Sequence, residues 1–321
     1  MIEMEPMIPL ADIEAARDAI QGKVLRTPLV RLNYPEAGKE IYLKLENLQP
    51  IGSFKIRGAA NAFARVPRSA IEEGVLTASA GNWAQGLAWA AREAGVPATI
   101  IVPEEAPKTK LAAIERLGAR YVKAPFDRWW QCMTERRYEG VKGRFFHPVE
   151  DEPVMAGNGT IALEIVEDLP DVGAVVVPWG GGGLATGIAS GLRQLRPKVE
   201  IHAAEVETAA PLTPSLSSGE VKRVDRRASF VDGIGSTTLL PKMWPFARDL
   251  LTDAHTASLP EIAAAVRLLV ERNRVVAEGA AASSVAVALS GKVTASKIVC
   301  IVSGGNIDTE VLRTILGGGV P

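Results

Sequence analysis

The 321-residue chain is poor in the residues that announce the commonest chemistries. Its two cysteines, Cys132 and Cys300, stand alone and match no metal or redox spacing, so they read as reduced thiols rather than a disulfide framework. Its three histidines, His147, His202 and His255, lie far apart in the sequence without ligand spacing, and no H-E-x-x-H occurs. Charge of either sign is not in excess: 36 Lys and Arg against 37 Asp and Glu leave no basic surface for nucleic acid or an anionic membrane. No apolar run reaches the roughly 18 residues of a membrane span. The N-terminal "MIEMEPMIPL" is acidic and lacks a signal pattern. There is no G-x-S-x-G nucleophile elbow. These absences predict a soluble cytoplasmic protein with no metal, no nucleic acid and no membrane partner.

What is present is alternation. Short apolar runs such as "GVLTAS", "ATIIVP", "GAVVVP" and "KIVCIVS" take turns with helical patterns such as "NWAQGLAWAAREAG" and "GLATGIASGLRQL". Continuous apolar strands alternating with helices predict an α/β fold of parallel twisted sheets with helices on both faces. Three such units in a row near residues 74 to 125 predict a small lobe inserted into a larger one. The expected division is 1–73 with 152–321 for the large domain and 74–151 for the small one. Residues 206 to 240 carry Pro, Ser and Gly with no period and read as one long loop.

In parallel α/β sheets, ligands gather where strands end and helices begin. Three junctions stand out. In "VVVPWGGGGLATG", Gly180, Gly181, Gly182 and Gly183 precede a helix near Leu184. Consecutive amides and a helix N-terminus make an anion cup there. No Gly-Lys-Ser/Thr follows, so the loop is not a nucleotide-triphosphate loop. Gly180, Gly182 and Ala185 also match G-x-G-x-x-A, with Glu205 where a ribose-binding acid would stand, so a dinucleotide and a single phosphate both fit. In "TASAGNWAQG", Ser79, Gly81 and Asn82 offer small polar groups that suit a carboxylate, or Asn82 is a plain helix cap. In "IVSGGN", Ser303 at a strand end can face a ring nitrogen or merely close a turn. A fourth stretch, "GSFKIRGA", frames Lys55 between glycines, Ser53 and Phe54, with Gly52 and Ser53 reading as turn and cap and Arg57 left without a role beyond pairing with a carboxylate.

These four stretches, in this order, resemble the threonine and serine dehydratases. Those enzymes use pyridoxal phosphate (PLP) in fold type II, the tryptophan synthase β-like fold, and serine racemase belongs to the same group. The stretches "HPVEDEPVMAGNGTIALEI", "VDGIG" and "VVAEGAAASSVAVAL" are similar too, so the resemblance runs from about residue 20 to the C-terminus. It implies a large PLP-binding domain and a small substrate-binding domain. It implies that Lys55 holds PLP as a Schiff base and serves as the base at Cα, with Phe54 beside the ring. Asn82 would bond the ring's 3′-oxygen, Gly180 to Gly183 with the Leu184 amide would hold the phosphate, and Gly233 would lie by the imine edge. Ser303 would face the pyridine nitrogen. Ser79 with Ala80, Gly81, Asn82 and Trp83 would bind the substrate carboxylate, and Glu278 takes the place of the family's acidic residue. A neutral hydroxyl at Ser303 leaves the ring nitrogen largely unprotonated, which favours loss of a β-leaving group over reprotonation.

The resemblance therefore implies elimination of water from a 3-hydroxy amino acid of the threonine or serine type, giving a 2-oxo acid and ammonia, by a homodimer, as relatives often are. Three departures shape that expectation. Ala80 stands where racemases carry a second serine, so racemisation should be weak. Trp83 replaces a common histidine, and with Trp129, Trp130 and Trp179 nearby it would favour a bulkier substrate such as phenylserine. Pro211 stands where cation-binding relatives carry an aspartate, so Glu205 has no partner ligand and is equally a structural residue. No regulatory pattern follows to residue 321, which suggests a catabolic type. The reading from a different class is an NAD(P)-binding oxidoreductase.

Overall fold

The computed structural model describes residues 7–321, so the first six residues of the acidic N-terminal stretch lie outside it. The chain opens with α1 (Leu10–Ile20), β1 (Leu29–Arg31), β2 (Glu40–Lys44) and α2 (Lys55–Ala64). Then β3 (Val75–Ala78), α3 (Asn82–Ala94), β4 (Ala98–Pro103), α4 (Lys108–Arg116), β5 (Arg120–Ala124), α5 (Phe126–Glu135) and β6 (Arg144–Phe145) follow in turn. Helix α6 (Glu152–Asp168) leads to β7 (Ala174–Pro178), α7 (Gly183–Leu195), β8 (Glu200–Val206) and α8 (Leu212–Ser218). The chain closes with α9 (Trp244–Leu250), β9 (Asp253–Ala257), α10 (Leu259–Leu268), α11 (Gly279–Leu289), β10 (Lys297–Ile301) and α12 (Thr309–Leu316).

Two sheets form. The larger has the order β1-β2-β10-β7-β8-β9, with only the β1–β2 pair antiparallel. The smaller, β5-β4-β3-β6, is parallel throughout. Every residue of β7, Ala-Val-Val-Val-Pro, is buried, as a strand covered on both faces must be. This is the α/β architecture the alternation predicted.

Helix α6 is seated by glycines. A methyl on Gly157 would lie 2.5 Å from the Arg57 carbonyl oxygen, and one on Gly187 would lie 2.2 Å from that of Met155. The backbones of α2, α6 and α7 therefore meet without side chains between them. Adding a methyl here would push helices apart, at about 1–3 kcal/mol. This close stack fixes where α2, and so Lys55, begins.

Two expectations need correction. The stretch from 206 to 240 is not all loop, because α8 forms within it. Its start is capped from a distance: the Glu205 carboxylate accepts from the amides of Leu212 (2.9 Å) and Thr213 (2.7 Å) and from the Thr213 hydroxyl. That occupies the acid a dinucleotide's ribose would have needed. Second, Trp129 and Trp130 do not approach Lys55. They stack with Phe126 and each other on α5, over Leu76 and Ala78, on the opposite face of the small sheet from Trp83 and α3. Amphipathic α5 buries one side of its aromatic set and leaves Trp130 exposed, which is a packing role.

Candidate active site

The strand ends of both sheets converge on the first turn of α2. The link is a backbone zipper between stretches 250 residues apart in sequence: Phe54 N donates to the Ser303 carbonyl (3.0 Å), Gly305 N donates to that of Gly52 (2.9 Å), and Ser53 bridges Gly304. Gly52 is left-handed (φ 70°), and a side chain there would strike the Asn306 amide. Ser53 is not the cap expected. Phe54 occupies that position in helical conformation, while the buried Ser53 hydroxyl has no partner among the described residues.

Lys55 points from this turn between two rings. Its Nζ lies 4.9 Å from the Phe54 ring centre and 5.9 Å from that of Trp83. Trp83 is buried and fixed by its indole N–H, which donates to Thr77 Oγ1 at 2.9 Å. Burial pulls the Lys55 amine down to about 8, against a modest pull upward from Glu278. An ammonium without an acid beside it loses hydration that nothing replaces.

Glu278 is the second shifted group. Burial raises it to about 7, although the Asn82 amide donates to its Oε1 at 2.9 Å. Asn82 in turn accepts from Asn306 Nδ2 at 2.8 Å, so its side chain serves the site and is not the helix cap, a position held by Gly81. Gly304 is glycine of necessity: a methyl there would lie 2.7 Å from Glu278 Oε1. A methyl on Gly233 would meet Ala280 at 2.9 Å and the Glu278 carboxylate at 3.4 Å, and one on Gly180 would meet the Gly233 carbonyl at 3.4 Å. Ser79 Oγ accepts from the Gly81 amide at 3.3 Å, and Ala80 is partly exposed beside it. The Ser303 hydroxyl makes no hydrogen bond among the described residues.

The glycine run after β7 forms the opposite wall. Gly182 adopts φ 100°, and its Cα faces the Trp179 indole so closely that a methyl would sit 2.6 Å away. Val149 covers Gly181 and Gly183 from the other side. Among the described residues, the amides of Gly180, Gly181, Gly182, Gly183 and Leu184 find no acceptor, as expected at a helix start. An unsatisfied run of donors at a helix N-terminus calls for an anion. The loop bearing Val149 is pinned by His147, whose Nδ1 accepts from the amides of Val149 (3.2 Å) and Glu150 (2.8 Å). Burial holds this imidazole neutral, at about 4. In the sequence His147 shows no ligand spacing, Asn306 has no role beyond its place in the turn after Ser303, and Val149 does not stand out. The "HPVED" turn after an apolar strand was the available signal.

Lys55, Phe54, Ser79, Asn82, Trp83, Glu278, Ser303, Gly233 and the glycine cup thus meet in one place. Beside them opens a cleft of about 610 Å³ between the two sheets, lined by Gln85, Lys110, Phe230, Asp232, Glu278 and Asn306. Lys110 of α4 reaches across its mouth to Asp232 at 2.6 Å. His202 and His255, distant in sequence, stack at 5.1 Å on β8 and β9, away from these residues. No group of three or more His, Cys, Asp or Glu among the described residues is placed to hold a metal. No helix among them is long and apolar enough to cross a membrane.

Known proteins share both sequence and form with this chain. It is 39% identical to an L-threonine ammonia-lyase of Geobacter sulfurreducens, over 98% of this chain and 79% of that protein. It is 36% identical to the catabolic L-threonine dehydratase of Escherichia coli K12, over 97% of this chain and 96% of that protein. Its fold superposes on the structure of maize serine racemase with a TM-score of 0.90 at 30% identity, over 98% of each chain. The profile of one family, described as pyridoxal-phosphate dependent enzyme, matches residues 20–304. That match spans both sheets and includes Lys55, Asn82, Glu278, Ser303 and the glycine cup, and the chain belongs to the pyridoxal-phosphate dependent enzymes.

Proposed function

We propose that the protein eliminates water from a 3-hydroxy amino acid of the threonine or serine type, giving a 2-oxo acid and ammonia. The observation that carries this reading is the Lys55 amine, drawn toward neutrality between Phe54 and Trp83 in a site that also holds an unsatisfied run of amides. Those features fit pyridoxal phosphate: the cup would hold its phosphate, the amine its aldehyde, Asn82 its ring hydroxyl and Ser303 its ring nitrogen. When bound, that group supplies a carbonyl for amines and a ring that takes up charge from the substrate's Cα.

The chain's own residues do the rest. A neutral Lys55 accepts the Cα proton, which an ammonium cannot do. Ser79 and the amides from Gly81 to Trp83 at the start of α3 hold the substrate carboxylate. Glu278, near half-protonated at neutral pH, can hold or give a proton at Oε1 beside Asn82. Ser303 would offer a hydroxyl and no carboxylate to the ring nitrogen, which favours loss of the β-hydroxyl; the proton that completes the water is the one Lys55 has taken from Cα. The Lys110–Asp232 bridge spans the cleft, and the buried indole of Trp83 walls Lys55.

The division into a large domain, 1–73 with 152–321, and a small substrate-binding domain, 74–151, belongs to the same reading, supported by the two separate sheets. So do a cytoplasmic location, in keeping with two free buried cysteines, action on serine as well as threonine, and a homodimer. Sedimentation tests the last.

The test of the main reading is colour and product. Purified protein given PLP turns yellow, and borohydride bleaches it with the label on the Lys55 peptide. Serine, threonine, phenylserine and 3-hydroxyaspartate are then compared by kcat/KM for 2-oxo acid release. Protein that stays colourless with PLP overturns the reading.

A further inference from the structure

Arg57 follows Lys55 by two residues, and nothing in the proposed chemistry uses it. Its side chain is 1% exposed and holds two carboxylates at once. Toward Glu46, Nε donates to Oε2 and Nη2 to Oε1, both at 2.8 Å. Toward Glu164, Nη1 donates to Oε1 at 2.6 Å and Nη2 to Oε2 at 2.9 Å. Thr160 Oγ1 (3.0 Å) and the Leu25 carbonyl (3.2 Å) take further bonds from the guanidinium. The cluster closes with Lys44, whose Nζ pairs with Glu164 Oε2 at 2.5 Å and donates to the Thr27 carbonyl at 2.6 Å. Thr27 Oγ1 donates to Glu46 at 2.6 Å. Two cations thus meet two anions with their donors and acceptors engaged.

The partners come from four places: β2, the turn after it, α6 and the segment before β1. Two forks in one plane fix both the rotation and the depth of α2 against all of them, which a single point charge could not do. Lys55 and Arg57 lie about 200° apart around the helix axis, at 3.6 residues per turn. Arg57 therefore grips the side of α2 facing the fold's interior while Lys55 projects from the other side into the site. The same cluster reaches the far wall: Lys44 pairs with Ile301 across the sheet, and its carbonyl accepts from the Val302 amide, next to Ser303.

We propose that Arg57 is a positioning residue for the lysine chemistry: its double fork sets α2 so that the Lys55 amine meets its carbonyl partner in line. The inference rests on the function proposed above. It separates from a purely structural role because Arg57→Lys keeps the charge sum of the cluster and loses both forks.

The experiment uses the full-length chain stripped of cofactor and given PLP, comparing wild type, Arg57→Lys and Glu164→Gln. Three quantities are read: the rate at which the yellow imine band appears, kcat and KM for threonine, and the urea midpoint. The expected result for Arg57→Lys is capture of PLP slowed about tenfold and kcat lowered about tenfold, with KM within twofold, a change worth one power of ten in rate. Glu164→Gln, which keeps one fork, falls between it and wild type. Arg57→Lys that captures PLP and turns over at wild-type rates, with only the urea midpoint lowered, overturns the proposal. If Arg57→Lys does not fold, Glu164→Gln decides by the same measures, and wild-type capture by it overturns the proposal. Wild-type protein that never forms the band overturns the function and this inference together, whereas normal wild type with unaltered variants overturns this inference alone.

Discussion

The two sides of helix α2 put ionisable groups into the same low-dielectric interior and compensate them unequally: the Arg57–Glu46 pair keeps both its charges, although burial draws the Lys44 amine beside it below the ordinary range. On the inner side, Arg57, Lys44, Glu46 and Glu164 close on one another. Burial alone would raise Glu46, yet the Arg57 charge and its hydrogen bonds hold it below the usual carboxylate range. On the outer side, Lys55 and Glu278 have burial without an equal partner, so the amine falls to about 8 and the carboxyl rises to about 7. Desolvation is common to both; compensation is what differs. The compensated side holds geometry. The uncompensated side holds protons loosely near neutral pH, which is what proton transfer needs.

The comparison breaks most sharply at one residue from each side, Lys55 and Glu46. Lys55→Ala should abolish the yellow band and cut 2-oxo acid release by at least about 10³-fold, since it removes both the anchor and the base. Its urea midpoint should hold or rise, because an unpaired buried amine has gone. A lowered midpoint would mean that Lys55 is structural. Next in size is Glu46→Ala. Removing one partner of a buried pair leaves charge uncompensated, so unfolding free energy should fall by about 3–5 kcal/mol. A loss under about 1 kcal/mol would show that the inner cluster is no better compensated than the outer.

A smaller effect sharpens the outer side through pH. Folded Glu278 holds its proton up to about 7, while the unfolded chain releases it near the ordinary glutamate value of 4.5. Between those limits the folded state binds more protons, so stability falls as pH rises from about 4.5 to about 7, by about 3 kcal/mol at most. His147 acts in the other direction: its folded value of about 4 against 6.5 means stability is gained as pH rises through that window. The quantity to measure is therefore the difference in urea stability between wild type and Glu278→Gln, in which the His147 contribution cancels. The wild type should lose ground to the variant from pH 4.5 to pH 7, and a flat difference would place Glu278 among ordinary carboxylates.

The outer side was the legible one. Its residues follow apolar strands in short glycine-rich turns, and such turns advertise themselves at Gly180 to Gly183, Ser79 to Asn82 and Ser303 to Asn306. The inner side was not, because Arg57 meets Glu46 and Glu164 only through tertiary packing, 11 and 107 residues away. Local rules also misled. A serine before a helix usually caps it, but the zipper to Gly304 pulls Ser53 away and puts Phe54 in its place. His202 and His255 become neighbours only because β8 pairs with β9. Aromatic residues carry the least local information: Trp83 and Trp179 reach the site, Trp129 and Trp130 do not, and no spacing distinguishes them.

The smallest expected effect concerns a methyl group. Ala80 sits between Ser79 and Gly81 in the turn before α3, partly exposed, with no atom that can carry a proton. In the proposed reading Lys55 serves one face of the substrate Cα, and Ala80 offers no group that could serve the other. Racemases of the family, by the resemblance described, place a serine at this position. Ala80→Ser should fold as the parent does, since a hydroxyl in a partly exposed turn changes stability by no more than about 0.5 kcal/mol. It should leave dehydration of L-serine within about threefold and raise D-serine formation by about three- to tenfold, because one added hydroxyl without a tuned neighbour is a weak general acid. Chiral analysis of serine after incubation reads this directly. A parent enzyme that already racemises L-serine as fast as it dehydrates it would mean that protons reach the second face by another route, and that burial around Lys55 does not confine proton transfer to one side.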